Sequence, residues 1–316
     1  MSNDTCSAQH FRYPLFTATY SLVLVVGLPL NAVSLWTFFC RQRLKSVPVV
    51  YMANLAVSDM LFILSLPLRI AYFSMRRWPF GDLACMIPGT LFSVNLYSSS
   101  FFITFISVDR MLAVVYPLRS RSLRSLPIAW MVCLAVWLII AGLSVPVALN
   151  HKANNDSNCS VIRCFENYSP DEWQRGFIIL CFTTVVGILI PFVIILGCTI
   201  AMVRKLREEK TCSLSSSKSS IKTPLNKSKL VRLFQTNLFI YALCFIPFHV
   251  SFILYGLHKM KVLQYNFFDV QTVTMCLAST NSCLDPLIYY FSSKNVRSND
   301  SKFQKMTRMT TTQTDI

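Results

Sequence analysis

Six polar side chains stand where the chain is otherwise apolar. Asp59 interrupts the run Ser46–Leu68, Asn95 and Ser99 lie within Met86–Val108, and Asn281, Ser282 and Asp285 lie within Val270–Ser293. Two carboxylates in apolar surroundings need a proton, a cation or a hydrogen-bonded network. A hydroxyl such as Ser99 or Ser282, taken singly, can instead bond back to its own helix. A second group is Asp109-Arg110, which closes an uncharged run. Charges beside lipid are expensive, so an Asp-Arg ion pair there calls for further partners, unless the arginine simply snorkels to the headgroups. A third is Arg69, ten residues beyond Asp59, or about 15 Å along a helix. A guanidinium suits phosphate or carboxylate, and the competing reading is a snorkelling or structural cation. The side chains around it are Phe, Leu, Tyr and Met, which suit an acyl chain better than a sugar.

No Walker loop, G-x-S-x-G or H-E-x-x-H occurs, and His10, His151, His249 and His258 lack metal-binding spacing. Enzymatic chemistry is therefore not expected. Paired broken helices would mark a transporter, and none are visible.

The elements that must position these groups are long apolar runs. The chain has 316 residues, 53% hydrophobic and 14% charged. Besides the three runs above, Tyr13–Cys40, Ser125–Asn150, Gly176–Val203 and Leu233–His258 are each long enough to cross the ~30 Å hydrocarbon layer as a helix. Lipid offers no water to free backbone groups, so the expected architecture is an all-α bundle of seven membrane-spanning helices. The division is an outer tail at 1–12, a membrane-spanning region at 13–293 and an inner tail at 294–316. Residues 1–12 are polar and the first apolar run is long, so that run serves as its own insertion signal.

The net charge of +16 is sorted by side rather than spread as in a nucleic-acid binder. Basic clusters follow the first, third, fifth and seventh spans: Arg41 to Lys45, Arg119 to Arg124, Arg204 to Arg232 and Lys294 to Arg308. The positive-inside rule puts the N-terminus outside and the C-terminus in the cytosol. Four sequons, at Asn3, Asn155, Asn158 and Asn167, fall on the expected outer side as glycosylation sites.

Motifs spread across the spans give a resemblance to rhodopsin-like G-protein-coupled receptors. They are Asn31, Asn54-Leu-Ala-Val-Ser-Asp59, Cys85, Asp109-Arg110, Trp137, Pro191, Cys244-Phe-Ile-Pro247 and Asp285-Pro-Leu-Ile-Tyr289. The resemblance implies a plasma-membrane receptor coupled to heterotrimeric G proteins and arrestin-like regulators. Asp109, Arg110, Phe245, Pro247, Pro286 and Tyr289 would then serve activation and coupling. It implies a sodium ion with Asp59 as chief ligand; a protonated network is the alternative. It also implies a disulfide from Cys85 to Cys164. Cys6 and Cys159 remain on the outer side for a second bridge, although sequence does not fix connectivity. A short amphipathic eighth helix is expected after the seventh span. Two departures stand out: Phe245 replaces the usual Trp, and Thr199 replaces the usual Tyr of span five.

Tyr20–Trp36, Trp78–Asp82 and Cys164–Trp173 resemble lysophosphatidic acid receptors of the purinergic-like cluster, the fifth subtype nearest and the sixth next. That resemblance implies an anionic lysophospholipid as ligand and G proteins of the twelve/thirteen or q class. Phe92 stands where amine receptors carry an acid, which argues against an amine. The ligand-binding candidates are Arg69, Tyr72, Phe92, Arg175, His249 and Lys259. Nucleotide receptors of the cluster place basic residues after the span-six His and in outer span seven. Here Val-Ser-Phe follows His249 and Gln271–Met275 has no Arg or Lys. The threonines from Thr307 to Thr314 are candidate phosphorylation sites, and Thr314-Asp-Ile316 fits a PDZ ligand.

Overall fold

The computed structural model describes residues 11–150, 153–156, 161–164, 170–215 and 224–287. Helix α1 spans Arg12–Trp36 and passes into a π-helical turn, Thr37–Arg41. A reversal with left-handed Arg43 and Leu44 leads to α2, Val47–Met75, which starts after extended Ser46 with proline in its first turn. Arg76, also left-handed, ends α2. Helix α3 is Gly81–Val115 and α4 is Leu126–Asn150. A hairpin follows, β1 (Asn154–Asp156) antiparallel to β2 (Val161–Arg163). Helix α5 has three stretches: Pro170–Thr184, a π-helical turn Val185–Leu189, and Ile190–Ser215. Helix α6 is Pro224–Lys259. Helix α7 runs Phe268–Ser279, breaks at Thr280 and resumes over 281–287.

Among the described residues, six helices are long and apolar enough to cross a membrane. Helices α2 and α3 bury most of their residues, whereas α4 turns Trp130, Met131, Leu134 and Leu138 outward. Apolar residues on the outside are what lipid requires. One end of the bundle is closed by the Cys85–Cys164 disulfide. Buried Trp78 reinforces that end: its backbone N–H donates to Ile162 O at 2.8 Å and its indole N–H to Gly81 O at 2.7 Å. Trp137 Nε1 ties α4 to α2 through Asn54 Oδ1 at 2.9 Å.

Several helices outrun the expected spans. Helix α5 continues to Ser215 and α6 begins at Pro224. The basic stretch between them is therefore partly helical. Lys259, one of the ligand-binding candidates, is the last residue of α6. The expected eighth helix, the tail threonines and the PDZ-like terminus lie outside the described residues, as do Cys6, Cys159, Asn3, Asn158, Asn167 and Tyr289. Asn155 sits in β1.

Candidate functional site

Prolines inside helices govern where polar groups collect. Proline has no N–H, so the carbonyl four residues earlier loses its helical donor. Pro286 strips Ser282 O in this way, and Asn31 Nδ2 of α1 supplies a replacement at 2.8 Å while also donating to Gly27 O at 3.0 Å. Gly27 permits that approach, since a Cβ there would lie 3.2 Å from Cys283 Sγ of α7 and 2.9 Å from Ile63 Cδ1 of α2.

Around this tie the predicted polar core assembles. Asn95 Nδ2 donates to Asp59 Oδ1 at 2.8 Å and lies 3.3 Å from Ser99 Oγ. Ser282 Oγ donates to Asn95 Oδ1 at 3.4 Å, and Asn281 Nδ2 donates to Asp285 Oδ2 at 2.7 Å. All six predicted members are buried. Ser58 and Ser98 join them, 2.5 Å apart through their hydroxyls. Four buried acceptor oxygens meet no donor among the described residues: Asp59 Oδ2, Asp285 Oδ1, Asn281 Oδ1 and Asn31 Oδ1. An acceptor-rich, buried cluster fits a small cation, a proton or both.

Nearer the disulfide end, Arg69 is only 2% exposed. Its Nη2 donates to Pro88 O at 2.8 Å and its Nη1 to the Tyr20 hydroxyl at 3.4 Å. The guanidinium lies 5.6 Å from the Tyr20 ring and 5.3 Å from the Phe92 ring. Tyr72 is buried edge-on to Trp78 and Tyr13. Two further arginines are buried here. Arg12 packs over Phe16, Phe73 and Phe268, and Arg163 donates to the Tyr13 hydroxyl. Arg76 faces the ring of the same tyrosine. Arg12 had no role in the sequence pattern; its signal was a cation one residue before the first apolar run.

An apolar cavity of about 170 Å³ opens on the other side of α3. It is walled by Ser93 and Tyr97 of α3, Ile140 and Leu143 of α4, Gly176, Leu180 and Thr183 of α5, and Phe252 of α6, with Glu172 and Trp173 at its edge. Apart from Glu172 and Trp173, which close the stretch Cys164–Trp173, none of these stood out in the sequence. Phe92 stands between Arg69 and this side, edge-on to Phe248 at 5.5 Å. His249 is buried beside Phe248, its Nδ1 2.9 Å from Phe245 O and its ring 5.9 Å from that of Tyr97. Thus Arg69, Phe92 and His249 are linked through rings. Arg175 and Lys259 are exposed and stand apart, Lys259 over the Tyr255 ring.

At the opposite end, Asp109 is buried and paired with Arg124, whose Nε donates to Oδ1 at 2.8 Å. Its neighbour Arg110 is half-buried. The pairing of Asp109 with a loop arginine had no sequence signal beyond a basic cluster. Phe245 is buried two residues before Pro247, its ring tilted by 32° against that of Tyr241 at 4.6 Å, and Pro286 is buried in α7.

Membrane-crossing helices around a buried polar core, with a disulfide at one end and a paired acid at the other, make up a membrane receptor fold. The model of the 7 transmembrane receptor (rhodopsin family) matches residues 30–289, and the chain belongs to that family. It is a receptor rather than an enzyme, and a multi-pass plasma-membrane protein.

Within that family it is similar to lysophosphatidic acid receptor 6 of Mus musculus, 38% identical over 94% of this chain and 89% of the relative. Lysophosphatidic acid receptor 5 of Bos taurus is also 38% identical, over 90% of this chain and 77% of the relative. A purinoceptor of Mus musculus is 34% identical over 92% of this chain and 79% of the relative. By identity the chain is thus as similar to subtype six as to subtype five.

Proposed function

We propose that this chain is a receptor for an anionic lysophospholipid, lysophosphatidic acid or a close analogue, acting through heterotrimeric G proteins. The carrying observation is the combination of a buried arginine, Arg69, with an apolar cavity one helix away. A phosphate headgroup needs charge-assisted donors and an acyl chain needs a dry apolar wall. The headgroup sits at the disulfide end, near Arg69 and the Arg12–Arg76–Arg163 group. The chain passes the Phe92–Phe248 pair into the cavity between α3, α4 and α5. In this reading the disulfide end faces outside and the Asp109 end faces the cytosol, as the sorted basic clusters require.

Ligand binding favours an arrangement in which the cytosolic end of α6 has moved away from Arg110, hinging near Pro247. A ligand shifts that balance only by binding the two arrangements unequally. G proteins of the twelve/thirteen or q class, arrestin-like regulators and a PDZ protein at Thr314-Asp-Ile316 are the partners this reading includes. Sodium bound at Asp59, Ser99 and Asn95 would hold the closed arrangement; the four unmatched acceptor oxygens support it.

The similarity to a purinoceptor keeps a nucleotide as the second reading. The apolar lining of the cavity and the lack of basic residues at Gln271–Met275 speak against it. A panel of lysophospholipids and nucleotides, read by G-protein nucleotide exchange in cells expressing the receptor, decides between them. Response to nucleotides with silence to lipids would end the lipid reading.

A further inference from the structure

We propose that His249 reads the free hydroxyl of the ligand's glycerol, accepting a hydrogen bond from it at Nε2. The inference rests on the lysophospholipid reading above. It names the group that would separate a lysophospholipid from an analogue whose hydroxyl is missing or capped.

His249 is only 2% exposed and lies on α6, one residue after Phe248. Its Nδ1 is 2.9 Å from Phe245 O. A carbonyl oxygen only accepts, so Nδ1 carries the proton of that bond. In a neutral imidazole the other nitrogen is then an acceptor. That atom, Nε2, is buried and meets no donor among the described residues. The nearby Tyr97 hydroxyl is shared instead with Thr183 Oγ1, at 2.8 Å. A buried acceptor without a donor is costly, so a ligand that brings a polar hydrogen to Nε2 gains what a ligand without one does not.

His249 stands between the two ends of the proposed ligand. Towards the headgroup, Phe248 meets Phe92 edge-on at 5.5 Å, and Phe92 lies 5.3 Å from the Arg69 guanidinium. Towards the chain, the His249 ring is 5.9 Å from that of Tyr97, which lines the cavity. Phe248 also packs on Phe252, another wall residue, at 5.6 Å. A group reaching Nε2 therefore belongs to the middle of the lipid, between phosphate and chain.

Lysophosphatidic acid offers few groups there. Its phosphate oxygens are taken by the arginines, its ester carbonyl only accepts, and its acyl chain carries no polar hydrogen. The glycerol hydroxyl is the donor that remains. A site built to bond a hydroxyl rejects the analogue that lacks it, because its own polar atom is then left unmatched. A diacyl phosphatidic acid has no such hydroxyl and is rejected on the same ground.

The test is a dose–response of G-protein nucleotide exchange by the full-length receptor at matched surface expression. Three probes share one oleoyl chain: lysophosphatidic acid, its deoxy analogue oleoyl propanediol phosphate, and the methyl ether of its glycerol hydroxyl. The ether keeps the oxygen and loses the proton. On the wild type, the deoxy analogue and the ether should each be about tenfold less potent than the parent lipid. On His249→Phe, which has no acceptor, the preference for the parent over the deoxy analogue should shrink to within about twofold. His249→Gln, whose side-chain carbonyl accepts, should keep part of that preference. A change of packing alone would move all potencies and leave their ratio as it was. Equal potency of parent and deoxy analogue on the wild type overturns the inference. So does an ether as potent as the parent, or a preference that persists at full size in His249→Phe. Silence of the wild type to all three probes would instead bring down the lysophospholipid reading, so the two failures are told apart.

Discussion

Arg69→Ala is the perturbation with the most to say about the ligand. In the free receptor Arg69 holds Pro88 O at 2.8 Å and the Tyr20 hydroxyl at 3.4 Å, with the Tyr20 and Phe92 rings nearby. Losing charged hydrogen bonds of this kind costs about 1.5–3 kcal/mol each. The variant should therefore melt several degrees lower, whatever the ligand. The larger effect is on lipid. Removing one partner of a desolvated charge pair costs about 2–5 kcal/mol in binding. Since ~1.4 kcal/mol is a decade, lipid potency should fall at least tenfold. Arg69→Lys keeps the charge and loses the planar fork, so it should recover only part of both effects. Lys259→Ala, at an exposed helix end, should cost less than Arg69→Ala. The assay is a lipid dose–response at matched surface expression, with thermal melting of each variant alongside. If Arg69→Ala melts lower and keeps wild-type lipid potency, Arg69 is a strut between α1, α2 and α3, and the headgroup binds elsewhere.

Three other perturbations follow from the same geometry. Gly176→Phe projects a ring from a position where a Cβ meets nothing within 4 Å, on the cavity wall. It should reduce lipid potency at least tenfold with normal surface expression, and unchanged potency would remove the chain from this cavity. Asp59→Asn should abolish the dependence of agonist affinity on sodium; a sodium effect that survives means the cation sits elsewhere. Arg124→Ala leaves the buried Asp109 carboxylate without its 2.8 Å partner. It should lower thermal stability by about 2–3 kcal/mol, with Arg124→Lys recovering part. A melting curve like that of the wild type would show the pair to be incidental.

Reading the helices needed only the length of the apolar runs, because lipid forbids free backbone groups. The polar core was legible for a related reason: Asp59 and Asp285 are conspicuous in such runs, and Asn95, Ser99, Asn281 and Ser282 sit near helical spacing from them or from each other. Other features depend on how helices rotate against one another, which no single run encodes. The π-helical turn at Val185–Leu189 involves Pro191 and also the donor from Ser100, two helices earlier in the chain. The cavity depends on two glycines of α5: Gly176 leaves its wall open, and Gly187 lets the Tyr97 ring lie against the helix. Neither glycine carries a local signal. Arg124 reaches Asp109 only after the segment from Tyr116 to Ser125 turns back. For Arg69 the sequence left a ligand clamp and a structural cation both open; its buried bonds to Pro88 and Tyr20 show which neighbours a structural role would use, and those belong to other helices.

The account depends most on one contrast, a lipid with and without its phosphate. Purified full-length receptor in lipid nanodiscs, mixed with a heterotrimeric G protein, should speed nucleotide exchange when given lysophosphatidic acid. The monoacylglycerol with the same chain, which lacks the phosphate that the arginines would hold, should not do so at the same concentration. Equal stimulation by both lipids, or stimulation by a nucleotide alone, would contradict the proposed receptor.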